Sequence, residues 1–335
     1  MAGPIRWTGR LIRWGLVAVG VLAVIFAGLL SVPVSQPPEL ASIHAGALAI
    51  DYAGMPDPLR FQARDGTSLA YRLYPAADGS TRDVAIVIHG SAGHSASMNQ
   101  IAKRLAAENV VVVSPDMRGH GYSGTRGDIG YGGQLDDDFA DLLAELHRQY
   151  PQSRFELLGF SSGGGFALRI ASEELGADLV RLVLLSPYLG YDAASTRSVG
   201  DSAHWASPDI PRAIALAMLR RLGLRCCEAL PVIAFAVPPR SEKRVTARYT
   251  FRLPTNFGAP RNLAAAFGRL KMPTTIIVGG ADELMYPDKY GDIVQGIKPA
   301  INVKIVSGLH HMDMLHAASA IDVIAAAMRA QPNPR

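Results

Sequence analysis

A chain of 335 residues, 49% hydrophobic and 19% charged, has the composition of a globular protein and enough length to bury a sizeable core. Its formal charge of +4 is concentrated at the start: Arg6, Arg10 and Arg13 stand in residues 1–38 without any Asp or Glu, and the rest carries 30 basic against 29 acidic residues. That balance gives no reason to expect a nucleic-acid partner. The two cysteines, Cys226 and Cys227, are adjacent, so they offer neither a disulfide framework nor enough ligands for a zinc site.

Residues 14–34 contain no charge, and 16–30 are almost wholly Leu, Val, Ala, Ile, Phe and Gly. Such a run is close to the roughly 20 residues that cross a bilayer. The arginines before it and the acidic Glu39 after it put the N-terminus in the cytoplasm and the bulk of the chain on the extracytoplasmic side, as a single-pass membrane protein. A cleaved secretory signal shares the basic start and apolar core. An uncleaved anchor over 1–35 is the preferred reading, because the run exceeds a usual signal core and no clean Ala-x-Ala site ends it. Pro33, Pro37 and Pro38 then mark a stiff linker over 36–58.

The body follows in order. Residues 61–63 and 68–74, separated by Asp65-Gly66, read as a hairpin. Apolar runs at 84–88, 110–114, 155–160 and 180–185 alternate with helical patterns at 98–107, 134–149 and 166–171. This alternation means parallel strands joined by helical crossovers, covered on both faces. The rhythm breaks over 188–269, a proline-rich stretch with a helical pattern at 214–222, expected to be a mainly helical cap inserted between core halves at 59–187 and 270–330. It resumes with strands at 274–278 and 302–306 and a closing helix at 322–328.

Chemistry concentrates where strands end. Gly159-Phe160-Ser161-Ser162-Gly163 lies between a strand and a helix, where a sharp turn thrusts the serine hydroxyl above the sheet edge and flanking glycines avoid Cβ clashes. The helix aims its first N–H groups at the same spot, favouring negative charge beside Ser161. A serine needs a base, and the base needs an orienting acid, in the chain order Ser, acid, His for such an elbow. Asp282, in the loop after the 274–278 strand, is the expected acid, with Glu283 as neighbouring alternative. His311, three residues after Gly308, is the expected base, ahead of His310; His316 falls in the following helical pattern and reads as packing. The backbone N–H groups of Ser162 and of Ser91, in the loop after 84–88, are the expected oxyanion donors. His89 reads as structural.

Together, His89-Gly90-Ser91, Asp116-x-Arg118-Gly119-x-Gly121-x-Ser123, Gly159-x-Ser161-x-Gly163, Gly280-Ala281-Asp282 and Gly308-x-x-His311 resemble the α/β-hydrolase superfamily. Within it the chain is similar to the branch of lysophospholipases, monoacylglycerol lipases and serine aminopeptidases. The resemblance covers residues 59–328 and implies an α/β-hydrolase fold, with a mostly parallel central sheet, helices on both faces and a cap. The acid loop, Asp282-Glu-Leu-Met-Tyr-Pro287, runs slightly longer than the family's compact form. The resulting expectation is a membrane-anchored serine hydrolase acting on a small ester or lipid-like substrate without metal or organic cofactor. Two alternatives stand beside it. One is aminopeptidase-like amide hydrolysis, with Glu228 or Glu242 holding a substrate amine; the other is a binding protein that kept the fold and lost catalysis.

Overall fold

The computed structural model describes residues 5–197, 205–238, 245–297 and 301–329. It begins with a helix α1 (Ile5–Ser31) and a short helix α2 (Ala41–Leu48). The hairpin β1 (Leu59–Gln62) and β2 (Ser68–Tyr74) leads into β3 (Asp83–Ile88), α3 (Asn99–Ala107), β4 (Val111–Pro115) and α4 (Gln134–Gln149). Then come β5 (Arg154–Phe160), α5 (Ser162–Ala171) and β6 (Leu179–Leu185). The insert holds β7 (Ala206–Pro208), α6 (Ile210–Arg221), β8 (Pro231–Phe235), β9 (Arg248–Thr250) and α7 (Leu263–Arg269). The core closes with β10 (Thr274–Gly279), α8 (Lys289–Val294), β11 (Asn302–Val306) and α9 (Ala318–Arg329).

Eight strands form the central sheet in the order β1-β2-β4-β3-β5-β6-β10-β11, parallel from β4 to β11, with β2 antiparallel to both its neighbours. Apolar runs fit this sheet because both faces are covered. Val84, Ile86 and Ile88 of β3 point to the side of α4 and α5, where Phe139 and Phe166 pack, whereas Ala85 and Val87 meet Ile101 of α3 and Ile324 of α9. The sheet's carboxyl ends therefore gather the loops after β3, β5, β10 and β11 on one rim, the usual place for a site in an open α/β sheet.

Two expectations need correction. The 188–269 insert is mixed rather than mainly helical: β7, β8 and β9 form a three-stranded antiparallel sheet. Pro208 and Pro231 sit at strand ends, and strands of three to five residues are too short to leave an apolar run. Nor does the segment 36–58, expected as a stiff linker, stand clear of the body. Leu40, Ile43 and Ile50 are buried against the body, because a linker carrying apolar side chains gains by covering apolar surface. The side chains of α1, in contrast, are exposed over most of its length; within the 22 residues Arg10–Ser31 an 18-residue window has a mean hydropathy of 2.3, and the helix is long enough to cross a membrane.

Candidate active site

Ser161 sits between β5 and α5 with φ 53° and ψ −120°, a conformation that non-glycine residues rarely adopt. The strain is held by close packing. A Cβ on Gly159 would run into the Gly163 carbonyl, and one on Gly163 into the His89 carbonyl, so strand and helix approach as nearly as they do only through glycine. Backbone bonds fix the turn: the Ser161 amide donates to Leu185 O at 2.9 Å, and Ser161 O accepts from Tyr188 N at 2.9 Å.

Asp282, after β10, is fully buried. Its Oδ1 accepts from the amides of Leu284 (2.9 Å) and Met285 (3.0 Å), which orients the other oxygen, Oδ2, toward His311 Nδ1 at 2.8 Å. Burial pushes this carboxyl up, but the His311 charge and these hydrogen bonds outweigh it and hold it below the ordinary carboxylate range. For His311, 2% exposed, burial works downward, yet the neighbouring charge and bond of Asp282, with Glu283 adding, raise the imidazole above its ordinary value. Committing Nδ1–H to Asp282 leaves Nε2 for proton chemistry. His311 and Ser161 line one small cavity together with Ile43, Gly90, Ser91, Phe160, Trp205, Leu284 and Met312.

The alternatives fall elsewhere. His310 is about half exposed and stands 3.5 Å from Glu283, outside that lining. Glu283 accepts the backbone N–H of His311 at 2.9 Å, so it braces the base rather than its ring. His316 precedes α9 instead of lying within it and pairs with Asp313. Glu228 is buried beside Arg220 at 3.3 Å, and Glu242 lies outside the described residues.

Of the two expected oxyanion donors, Ser162 is the first residue of α5, where amides have no partner within the helix. Ser91 lines the cavity, and the loop it belongs to is pinned by the insert. Ala92, at φ 60°, donates its N–H to Tyr249 Oη (3.1 Å) and accepts from Thr246 N (2.9 Å). The Tyr249 hydroxyl donates in turn to His120 Nε2 at 2.6 Å. Burial, with the neighbouring His89 adding, pushes the His120 imidazole well below its ordinary value, so it is neutral and accepts. His89 is indeed a tie between loops: its ring donates to Gly90 O (2.8 Å) and accepts from Met117 N (3.2 Å).

Sequence reasoning missed the apolar walls. Trp205, from the insert, donates its indole N–H to Ser91 Oγ at 2.9 Å, and Ile43 comes from the segment next to α1. Phe160, inside the elbow motif itself, stacks at 4.8 Å on the His311 ring. Its place between the glycine and the nucleophile was a visible signal; Ile43 and Trp205 left none at short range.

Comparison with known proteins supports the fold and gives the family. A model of the family described as serine aminopeptidase, S33, matches residues 79–316, more than half of the chain. The chain is 28% identical over 128 residues to a monoacylglycerol lipase of Mycolicibacterium smegmatis, covering 38% of this chain and 45% of that one. It is 29% identical over 151 residues to a human monoglyceride lipase, covering 45% and 48%. The matched stretch thus spans about half the length of these relatives. Among solved structures, a soluble variant of the monoglyceride lipase of Saccharomyces cerevisiae superposes with a TM-score of 0.62 at 15% identity over 82% of this chain and 94% of that one. A membrane phospholipase A described as a bacterial virulence factor does so at 0.55 and 17% over 96% and 97%. With the fold, the elbow and the family match in agreement, the chain belongs to the serine aminopeptidase S33 family of α/β hydrolases.

Proposed function

We propose that this protein is a membrane-anchored serine hydrolase that cleaves carboxylic esters of apolar acyl groups through an acyl-enzyme on Ser161. The observation that carries the reading is the 2.8 Å bond between Asp282 and His311, on a base that shares its cavity with a serine held in a strained elbow. In this mechanism His311 Nε2 takes the Ser161 proton as Oγ attacks the ester carbonyl, and Asp282 stabilises the imidazolium. The amides of Ser91 and Ser162 hold the oxyanion. His311 returns the proton to the leaving alcohol, and water, deprotonated in turn by His311, releases the acid. No group outside the chain is required.

Two features support a lipid-like substrate at a bilayer. Ile43, Phe160, Trp205, Leu284 and Met312 make the cavity walls apolar, and the relatives' names are those of lipases acting on monoglycerides. The end of α1 packs on α6, where Arg212 donates to Leu29 O, and α6 with the residue that follows it exposes Ile210, Ile214, Met218 and Leu222 beside that anchor. The arginines before the span support a body on the extracytoplasmic side; digestion of the body by protease added to sealed right-side-out vesicles checks this.

The full chain in detergent is expected to be labelled by a fluorophosphonate and to turn over p-nitrophenyl esters and monoacylglycerols, and Ser161→Ala is expected to abolish both. An unlabelled, inactive wild type, or a preference for aminoacyl amides over every ester, defeats the ester reading.

A further inference from the structure

The segment between anchor and body is fastened at both ends and crosses the candidate site. Near its start Val34 is buried and the Gln36 side-chain amide donates to Val237 O at 2.7 Å; near its end Ile50 is buried against the α3 side, and Asp51 N donates to Gln100 Oε1 at 2.9 Å while its carbonyl accepts from Asn99 at 2.8 Å. Between these points α2 lies on the turn Met312–Leu315 that follows His311. Gly46 allows the approach, since a Cβ there would overlap the Met312 side chain. The outcome is that Leu40 and Ile43 pack with Trp205, Leu284 and Met312, and Ile43 becomes part of the lining around Ser161 and His311.

The space between these walls measures about 20 Å³, room for a single water. An acyl chain enters only if a wall gives way. Most walls are fixed by the fold: Phe160 ends β5, Gly90, Ser161 and His311 belong to the core loops, and Trp205 is tied to Ser91. Ile43 is different. Its side chain is apolar, so it makes no directional bond, and it stands on an eight-residue helix separate from the sheet. We infer that Ile43 is a specificity-determining residue: residues 34–51 form a strap that supplies one wall of the acyl site, and the side chain at 43 sets how much acyl chain fits beside Ser161. This rests on the ester-hydrolase reading above.

The test compares kcat/KM for p-nitrophenyl acetate and p-nitrophenyl decanoate in the full-length protein in detergent. Ile43→Ala is expected to raise the decanoate-to-acetate ratio about tenfold, and Ile43→Trp to lower it by a similar factor, the scale on which apolar pockets discriminate chain length. Ile50→Ala, in the same strap but facing α3, is expected to lower thermal stability and leave the ratio unchanged. Fluorophosphonate labelling counts the active sites in each preparation. An unlabelled wild type would overturn the underlying reading. Labelled Ile43 variants whose ratio stays within twofold of wild type, or an Ile50→Ala ratio that moves as much as theirs, overturn the strap as a wall of the site.

Discussion

The core and the insert-plus-strap hold their side chains by different physics. Around Ser161 the backbone does the holding: glycines at 159 and 163 let strand and helix interlock, and Asp282 is oriented by two amides of its own loop. Around Ile43 and Trp205 it is mostly side-chain packing, with a single indole hydrogen bond to Ser91. Steric interlocking fixes positions tightly, which proton transfer and oxyanion binding require. Apolar packing fills volume and can be refilled by residues of another size. Core substitutions should therefore lower the rate for every ester, whereas strap substitutions should change which ester is preferred.

The largest effect expected on the core side is that of Asp282→Asn. The amide keeps the size but loses the charge that stabilises the imidazolium and the acceptor that sets its tautomer. A fall in kcat of about 10⁴-fold, equal for acetate and decanoate esters, is expected from steady-state kinetics. A fall confined to long esters would erase the distinction between the two regions.

Tyr249 tests where the boundary runs, since it belongs to the insert yet bonds the oxyanion loop through Ala92. Tyr249→Phe leaves the Ala92 amide and His120 Nε2 buried without that partner, a loss of about 1–3 kcal/mol. Thermal unfolding should show a Tm lower by a few degrees, and kcat should fall several-fold for short and long esters alike. If only long esters suffer, Tyr249 acts on substrate fit and its bond to Ala92 has no part in placing Ser91.

What was legible in the sequence follows the same division. The sheet could be read because buried parallel strands are apolar runs, and β2, α4 and β11 begin and end where the pattern placed them. The candidate nucleophile, base and acid could be read because each follows a strand end within a few residues, so local spacing encodes their geometry. The strap could not. Ala41–Leu48 is mostly small and apolar residues, and its two polar ones, Ser42 and His44, lie two apart and so mark no single polar face to give it an orientation; its partners Trp205, Leu284 and Met312 lie more than 150 positions away. The insert's sheet escaped for a related reason: β7 and β9 have three residues each, too few to show a period, and their pairing with β8 is decided by contacts across the insert.

The smallest effect, and the sharpest on the core side, concerns Glu283. This carboxylate binds the backbone N–H of His311 at 2.9 Å, and its charge raises the imidazole along with the larger contribution of Asp282. Other titratable or charged groups nearby are His310, 3.5 Å from Glu283, Asp313, which accepts from the His310 amide at 2.8 Å, and Arg197, whose guanidinium donates to the Asp282 carbonyl. From the strap side the facing residue is the uncharged Ile43. A general base works when unprotonated, so activity rises as pH climbs through its pKa in the free enzyme. Glu283→Gln keeps an acceptor for the amide and removes the charge, so the imidazolium loses support and its pKa falls. The acid limb of the kcat/KM profile should move to lower pH by less than about one unit, with the plateau rate nearly kept. The stability linkage has the same origin: with its pKa raised in the folded state, His311 contributes stability that is full below its unfolded pKa and is lost as pH rises through the folded one. In Glu283→Gln that contribution shrinks, so the Tm difference from wild type should be larger at pH 5.5 than at pH 9. An acid limb that stays fixed or moves upward would mean that Glu283 serves His311 only as a backbone brace.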